Sequence, residues 1–288
     1  MRGEAPRLRA VAALAVLVAA AGCAPVPVRA PQAQAQAAAA DRSAPFDAAA
    51  LAAAAPRVDA SAAAAAYAGA RTYSGVLSCA GCAQQRLTLT IFADGTFRLL
   101  QADGAGSAAR GGYDIGRWAT STEAPDTIAL RGDTDGVRLF RRVRPDGLAV
   151  VDNEGREIRG LDSATLARAA RIDPLAGPLR LVGSYRLEGR QAVFVECLTG
   201  RRMPVVAGVP ASGSPQAVRL LAGAQSALDA AHRAVRLAAE EPVLAVVQGY
   251  LLPRVVQPDD AEKEALVVAV FERAMRDARC EDVVRKAR

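Results

Sequence analysis

Leu87-Thr88-Leu89-Thr90-Ile91-Phe92-Ala93-Asp94-Gly95-Thr96-Phe97-Arg98-Leu99-Leu100 is the stretch that decides the fold class of this chain. Leu87, Leu89 and Ile91 alternate with Thr88, Thr90 and Phe92, the period of a strand with one buried face. Ala93-Asp94-Gly95-Thr96 then turns the chain into Phe97-Arg98-Leu99-Leu100, which makes the stretch a β-hairpin. Outward from this hairpin, between Thr72 and Leu161, strand candidates recur at Tyr113 to Ala119, Thr127 to Leu130, Val137 to Val143, Leu148 to Val151 and Glu157 to Leu161. Gly132, Gly136, Gly147 and Gly155 punctuate them. Roughly seven or eight short strands in about ninety residues imply a small antiparallel barrel, because closure removes exposed strand edges. Trp118 and Phe140 are expected to fill it.

A polar, proline-bearing joint follows from Asp162 to Pro178. The second unit opens with strands at Leu179 to Leu187 and Gln191 to Glu196, and a third is expected over Arg202 to Val206. One long helix is expected from Pro215 to about Glu240, with Pro215 near its start and Pro242 beyond its end. Its apolar positions Val218, Leu221, Ala224, Leu228, Ala231 and Val235 recur at three and four, so one face should pack on the strands. Strands at Val243 to Leu251 and Leu266 to Phe271 complete the unit. Five strands with a helix after the third is the order of an OB-like barrel, and a split β-sandwich also fits. The expected fold class is therefore mainly β with one long helix. An N-terminal small antiparallel, lipocalin-like β-barrel (71–161) precedes a C-terminal OB-like α+β domain (178–283).

The start of the chain reads differently. Arg2, Arg7 and Arg9 lead into the apolar run Ala10 to Ala21, which is too short to cross a bilayer and ends in Ala20-Ala21-Gly22-Cys23. That is the anatomy of a cleaved export signal over 1–22. Small residues followed directly by Cys resemble the lipobox of bacterial lipoproteins, although Leu is usual where Ala20 stands. The resemblance implies a diacylglycerol on the Cys23 thiol, cleavage before it and acylation of the new amino terminus. Several acyl chains, at about 0.8 kcal/mol per buried methylene, make a stable anchor. After Cys23 the sequence to residue 70 is Ala, Pro and Gln with almost no large apolar groups, which reads as a linker. As a flexible coil such a segment spans about 35–40 Å on average.

Formal charge is +6, and residues 1–22 carry three Arg and one Glu, leaving about +4 on the rest as scattered arginines. Arg138, Arg141, Arg142 and Arg144 read as a solvated face. Without a dense basic stripe and interleaved aromatics, nucleic acid is not an expected partner. No nucleophile elbow, phosphate loop or H-E-x-x-H occurs, and no carboxylate pair stands out as a general acid and base. An enzyme is not expected. His232, the sole histidine, is expected near the exposed side of the long helix, and Met203 is expected to pack.

Beyond Cys23 the cysteines are Cys79, Cys82, Cys197 and Cys280. An exported chain lives where thiols are oxidised, and four cysteines permit three pairings. Two lie close together in one half and two far apart in the other. Cys79 and Cys82 could meet in a tight disulfide or, when reduced, on Cu(I), which prefers sulfur and accepts few ligands. No motif requires a cofactor. Zinc would want four ligands, and no second Cys or His pair completes them. A redox enzyme of the thioredoxin kind needs a βαβ context, whereas this pair lies between strands.

Tyr73-Ser74-Gly75-Val76-Leu77-Ser78-Cys79-Ala80-Gly81-Cys82, followed by the Leu87 strand and Asp94-Gly95-Thr96-Phe97, resembles the NlpE (CutF) family of outer-membrane lipoproteins. In that family the first domain begins Gly-Val-Leu-Pro-Cys-Ala-Asp-Cys. The match continues through Gly116-Arg117-Trp118 and Asp152-Asn153-Glu154-Gly155, and Cys197-Leu198-Thr199-Gly200-Arg201 looks like the family's Cys-x-Thr-Gly-Arg/Lys segment. Ser78 and Gly81 depart from the pattern, where the family has Pro and Asp, but keep the sulfur spacing. The resemblance implies a Cys197–Cys280 disulfide, closing a loop worth roughly 4 kcal/mol by chain entropy. It also implies lipid anchoring in the outer membrane with the domains in the periplasm, copper resistance and envelope-stress sensing. The partners it implies are an inner-membrane sensor histidine kinase of the Cpx type and disulfide-forming enzymes. Rival readings are a periplasmic thiol–disulfide oxidoreductase using Cys79 and Cys82, and a lipocalin-like carrier of an apolar ligand with an underfilled barrel.

Overall fold

The hairpin expected over Leu87 to Leu100 is β2 (Gln85–Ile91) and β3 (Thr96–Asp103), paired from Gln85↔Asp103 to Ile91↔Phe97. Gly95 takes φ +78°, and Asp94 Oδ1 accepts from Thr96 N at 3.0 Å and from Thr96 Oγ1 at 2.6 Å, fixing the turn. The computed structural model describes residues 48–79, 84–103, 110–133, 137–173, 175–235, 241–254 and 262–286. The expectations for 1–22, Cys23 and Cys82 lie outside these residues, and of Cys79 only the backbone is described.

The other strands of the first domain are β1 (Arg71–Cys79), β4 (Arg110–Thr120), β5 (Thr127–Gly132), β6 (Val137–Val143), β7 (Gly147–Val151), β8 (Leu161–Ser163) and β9 (Thr165–Arg168). Eight of the nine, all but β8, run in the order β4-β3-β2-β1-β9-β7-β6-β5, and β5 returns to β4 from Gly116↔Gly132 to Thr120↔Ile128, closing the barrel. A Cβ on Gly116 would lie 1.9 Å from the Arg131 carbonyl oxygen, so only glycine allows this closure. The strand between β7 and β1 is not the candidate Glu157–Leu161. Glu157 makes a single bridge to Val151, and β9 instead joins β7 to β1. With Leu166 as its one fully buried side chain, β9 is too short to show alternation.

The bore is filled: Leu87, Leu89, Leu99, Ile128, Phe140 and Leu148 are each at most 2% exposed. An underfilled carrier barrel is therefore not what this sequence builds. Trp118 does not sit among them. It packs against the cluster from the barrel end, half-buried, with Nε1 donating to the Phe92 carbonyl at 3.0 Å. An indole needs a partner for its N–H, and the rim offers one where the apolar bore does not.

The second domain comprises β10 (Leu179–Glu188), β11 (Gln191–Glu196), β12 (Arg202–Pro204), α3 (Pro215–Val235), β13 (Val243–Pro253) and β14 (Glu264–Met275). The order β12-β11-β10-β13-β14 closes through the parallel bridge Val205↔Leu266, with Val206 N donating to the Leu266 carbonyl at 2.9 Å. Closure with the helix after the third strand is the OB arrangement, not a split sandwich. The helix buries Ala217, Leu221, Ala224, Leu228 and His232, while Val218 is 46% exposed. The stripe is rotated from the expected one, and His232 is buried. Its ring meets Tyr185 edge-on at 5.3 Å, and Nε2 lies 3.0 Å from the Glu241 carbonyl oxygen. Four residues after Leu228, it falls on the packed face, so its position outweighed its polarity. Met203 is buried in the core, as expected.

Residues 48–70 do not behave as a linker. They hold α1 (Ala48–Ala54) and α2 (Ala60–Ala66), and residues 46–288 form one compact unit. Leu51 and Ala54 pack with Ala217, Leu221, Tyr250 and Val267 of the OB domain, and Tyr67 is 2% exposed. A segment too poor in apolar surface to fold alone can still bury what it has against a preformed surface. The two barrels also touch directly. Tyr113 of β4 pairs with Leu179 of β10, and Ile115 joins the OB core.

Candidate functional site

Arg98 points to the outside of the first barrel from β3, between the inward residues Phe97 and Leu99, yet it is only 3% exposed. The second domain covers it. Its Nη2 donates to Glu264 Oε1 at 2.8 Å and Oε2 at 2.6 Å, and Glu264, the first residue of β14, is also 3% exposed. Tyr67, from the segment after α2, donates its hydroxyl to Glu264 Oε1 at 2.7 Å. Arg201 donates from Nη1 to Glu264 Oε2 at 2.8 Å and from Nη2 to Asp94 Oδ2 at 2.8 Å. Both guanidinium groups lie against the Phe92 ring, Arg201 at 4.6 Å and Arg98 at 5.4 Å from its centre.

One carboxylate thus gathers the first barrel, the N-terminal segment and the OB domain. Burial pushes the Glu264 pKa up, but the charges of Arg98 and Arg201 outweigh it and hold the carboxyl below the usual range. Burial likewise opposes the charge on Arg98, and Glu264 more than offsets it. The Tyr67 hydroxyl is held protonated by its burial, with the Glu264 charge acting in the same direction.

Arg201 leads from this cluster to the disulfide. Cys197 and Cys280 are bonded, with Cα atoms 4.9 Å apart and a sequence separation of 83. Cys197 opens the turn after β11, and Cys280 is the first residue of α4 (Cys280–Lys286). Glu196, 2% exposed, ties the turn together by accepting from Leu198 N at 3.0 Å, Thr199 N at 2.7 Å and Thr199 Oγ1 at 2.5 Å. Burial raises its pKa against these hydrogen bonds. The turn's outer carbonyls face the first barrel: Arg117 of β4 donates from Nε to Leu198 O at 3.2 Å and from Nη2 to Thr199 O. Beside it a cleft of about 760 Å³ is lined by Arg117, Trp118, Val137 and Leu139 of the barrel and by Leu198 and Val284. The crosslinked turn is therefore part of the seam between the domains.

Cys79 ends β1, opposite Leu161 of β8, where the register shifts between Ser78 and Cys79. Leu77 pairs with Gln85, so the Cys79-to-Cys82 segment connects β1 to β2 at one barrel end. Cys82 lies outside the described residues, as does Cys23. Among the described residues no three His, Cys, Asp or Glu side chains come together to hold a metal.

The residues that build the seam escape sequence reasoning. Arg98 looks like the outward residue of an exposed strand face, and Glu264 like a charge closing the start of an apolar run. They lie 166 residues apart, and neither carries a motif. Arg201 and Arg117 do fall inside the segments singled out for resemblance, which was the available signal.

Together these features define a two-barrel β protein with a disulfide-bearing turn and a buried ion cluster at its seam. The chain belongs to the NlpE family. The family described as the NlpE N-terminal domain matches residues 73–161, and the NlpE C-terminal OB domain matches residues 176–281. It is 27% identical over 204 residues to Lipoprotein NlpE of Escherichia coli (strain K12), covering 67% of this chain and 77% of that protein. Among solved structures, the Cpx pathway activator NlpE from Escherichia coli matches at 24% identity, covering 73% of this chain and 97% of that one, with a TM-score of 0.29. A putative lipoprotein from Shewanella oneidensis matches at 27% identity, covering 40% of this chain and 100% of that one, also with a TM-score of 0.29.

Glu264→Gln leaves Arg98 buried without its counter-ion, and the expected cost is about 3–5 kcal/mol, read as a lower urea midpoint at pH 7. Because the folded-state pKa of Glu264 is depressed below 4.5, its charge contributes stability above that value and loses it as pH falls through the folded pKa. The gap between wild type and variant should narrow below about pH 4.5. Equal midpoints at pH 7 would show that the cluster carries no stability.

Proposed function

We propose that this protein is a lipid-anchored envelope-stress sensor that reports the state of its disulfide, through the seam, to a partner of the first barrel. The observation that carries this reading is the pair of hydrogen bonds from Arg117 to the turn beginning at Cys197. A crosslink elsewhere in the OB domain could fail without notice by the first barrel. This one holds a seven-residue helix too short to persist alone, and it anchors the turn that Arg117 grips. Loss of the bond frees α4 and Val284 from the cleft and loosens the turn, which alters the barrel surface around Trp118.

The relative described as a Cpx pathway activator supports a relay by contact to an inner-membrane sensor kinase of the Cpx type. Lipidation at Cys23, with the domains in the periplasm and the anchor in the outer membrane, is part of the same proposal. It rests on the signal and lipobox pattern and on the lipoprotein name of the relative. Among the described residues no helix is long and apolar enough to cross a membrane. Disulfide-forming enzymes would supply the Cys197–Cys280 bond. Copper resistance enters through Cys79 and Cys82, which in the reduced state would offer two thiolates to Cu(I). Their spacing and the β1–β2 connection support this use more than thiol–disulfide catalysis, which needs a helix start beside the pair.

The double variant Cys197→Ser/Cys280→Ser should raise envelope-stress reporter output and speed hydrogen exchange at Leu198 and Thr199. Arg117→Ala should raise the output with the disulfide intact, and unchanged output in both variants would refute the seam relay. Cys23→Ala should move the protein from the membrane fraction to the soluble fraction; continued membrane association would remove the anchor. Cu(I) titration of the reduced protein against a competing chelator should show one equivalent bound, lost in Cys79→Ser/Cys82→Ser. Equal binding by both would leave the pair without a metal role.

A further inference from the structure

The end of the first barrel away from the Cys79 connection carries a pocket that shares only Trp118 with the seam cleft. It has a volume of about 270 Å³, with Ile128 and Leu148 among its lining, and it is walled by Phe92 and Trp118. Ile128 is 1% and Leu148 2% exposed, and both belong to the packed bore, so a ligand can enter the mouth and go no deeper. The size is decisive for the ligand class. A 150 Å³ apolar cavity takes about one benzene, and drug-sized ligands occupy roughly 300–1,000 Å³. About 270 Å³ therefore suits part of one acyl chain.

The polar lining is one-sided. Arg71 of β1 and Arg142 of β6 are exposed at the rim, and no Asp or Glu is among the lining residues. Among the described residues neither guanidinium has a salt bridge or a side-chain hydrogen bond. Arg141, the next residue on β6, by contrast pairs with Glu157 at 3.1 Å, and Arg168 pairs with Asp146 at 2.8 Å. An apolar floor beneath two cations without an acidic partner among the described residues is complementary to a molecule with one anionic head and one hydrocarbon chain.

We propose that the barrel mouth binds a single-chain anionic amphiphile, its head between Arg71 and Arg142 and its first methylenes against Trp118, Ile128 and Leu148. Such a molecule could be a free carboxylate or the head and upper chain of an anionic lipid. The site lies at the other end of the barrel from the Cys79 connection, and its charged residues, Arg71 and Arg142, take no part in the relay proposed above.

Trp118 is the only tryptophan in the chain and also lines the seam cleft, so its fluorescence reports binding and the arginine variants below assign that binding to the mouth. Sodium decanoate, titrated as monomer into the full-length protein, should change the Trp118 emission saturably. Decyltrimethylammonium and 1-decanol, which share the chain but not the anion, should bind at least about tenfold more weakly. Arg71→Gln/Arg142→Gln should weaken decanoate by a similar factor while leaving the thermal midpoint unchanged, since both side chains are exposed. Competition by phosphatidylglycerol vesicles would identify a membrane lipid as the source, and absence of competition a free amphiphile. Equal responses to decanoate and decanol, unaltered decanoate binding by the double variant, or no response to decanoate would each overturn the proposal.

Discussion

A carboxylate buried between two barrels governs this structure. Glu264 is a charge taken out of water, and a charge there is tolerated only if opposite charges and hydrogen bonds surround it. It obtains them from three places at once: Arg98 on the first barrel, Arg201 in the turn after β11, and Tyr67 beyond α2. None of these could move away alone without leaving the others short of a partner. The ion cluster therefore fixes how the barrels meet and where the N-terminal segment crosses them. Replacing such a cluster by apolar residues could leave as much stability, but it would lose the single geometry that these directional bonds impose.

The same geometry changes what the disulfide does. By chain entropy, a crosslink across 83 residues stabilises the OB domain by roughly 4 kcal/mol wherever it lies. Placed at Cys197, it also sets the turn that Arg117 holds and that delivers Arg201 to Glu264 and Asp94. Oxidation state and inter-domain contact thus share one short run of backbone, 197–201. The long-range effect needs no pathway through either core, because the covalent bond and the seam are neighbours.

The first barrel is solid, and the features that the proposals use lie at its ends. Leu89, Leu99 and Phe140 occupy the bore that a carrier would leave open. One end holds the connection bearing Cys79, and the other holds Trp118 with Arg71 and Arg142. A packed core thereby separates the connection bearing Cys79 from the mouth proposed to hold an amphiphile.

Alternation in Leu87 to Leu100, turn residues at regular intervals and a helix after the third strand of the second half were enough to determine two β-barrels and the place of the long helix. These features are local, and local periodicity is legible in a sequence. The spacing of the four cysteines suggested one near and one distant couple, and only resemblance chose Cys280 for Cys197. Tertiary structure alone decided the strand Thr165–Arg168 between β7 and β1, the buried side of His232, the docking of residues 48–70 and the ion cluster. Each depends on a surface contributed by residues far away in sequence: Leu51 is buried by Leu221 and Tyr250, and Arg98 becomes an interior residue only because β14 covers it. Burial there belongs to the assembled molecule, and no periodicity in the segment itself encodes it.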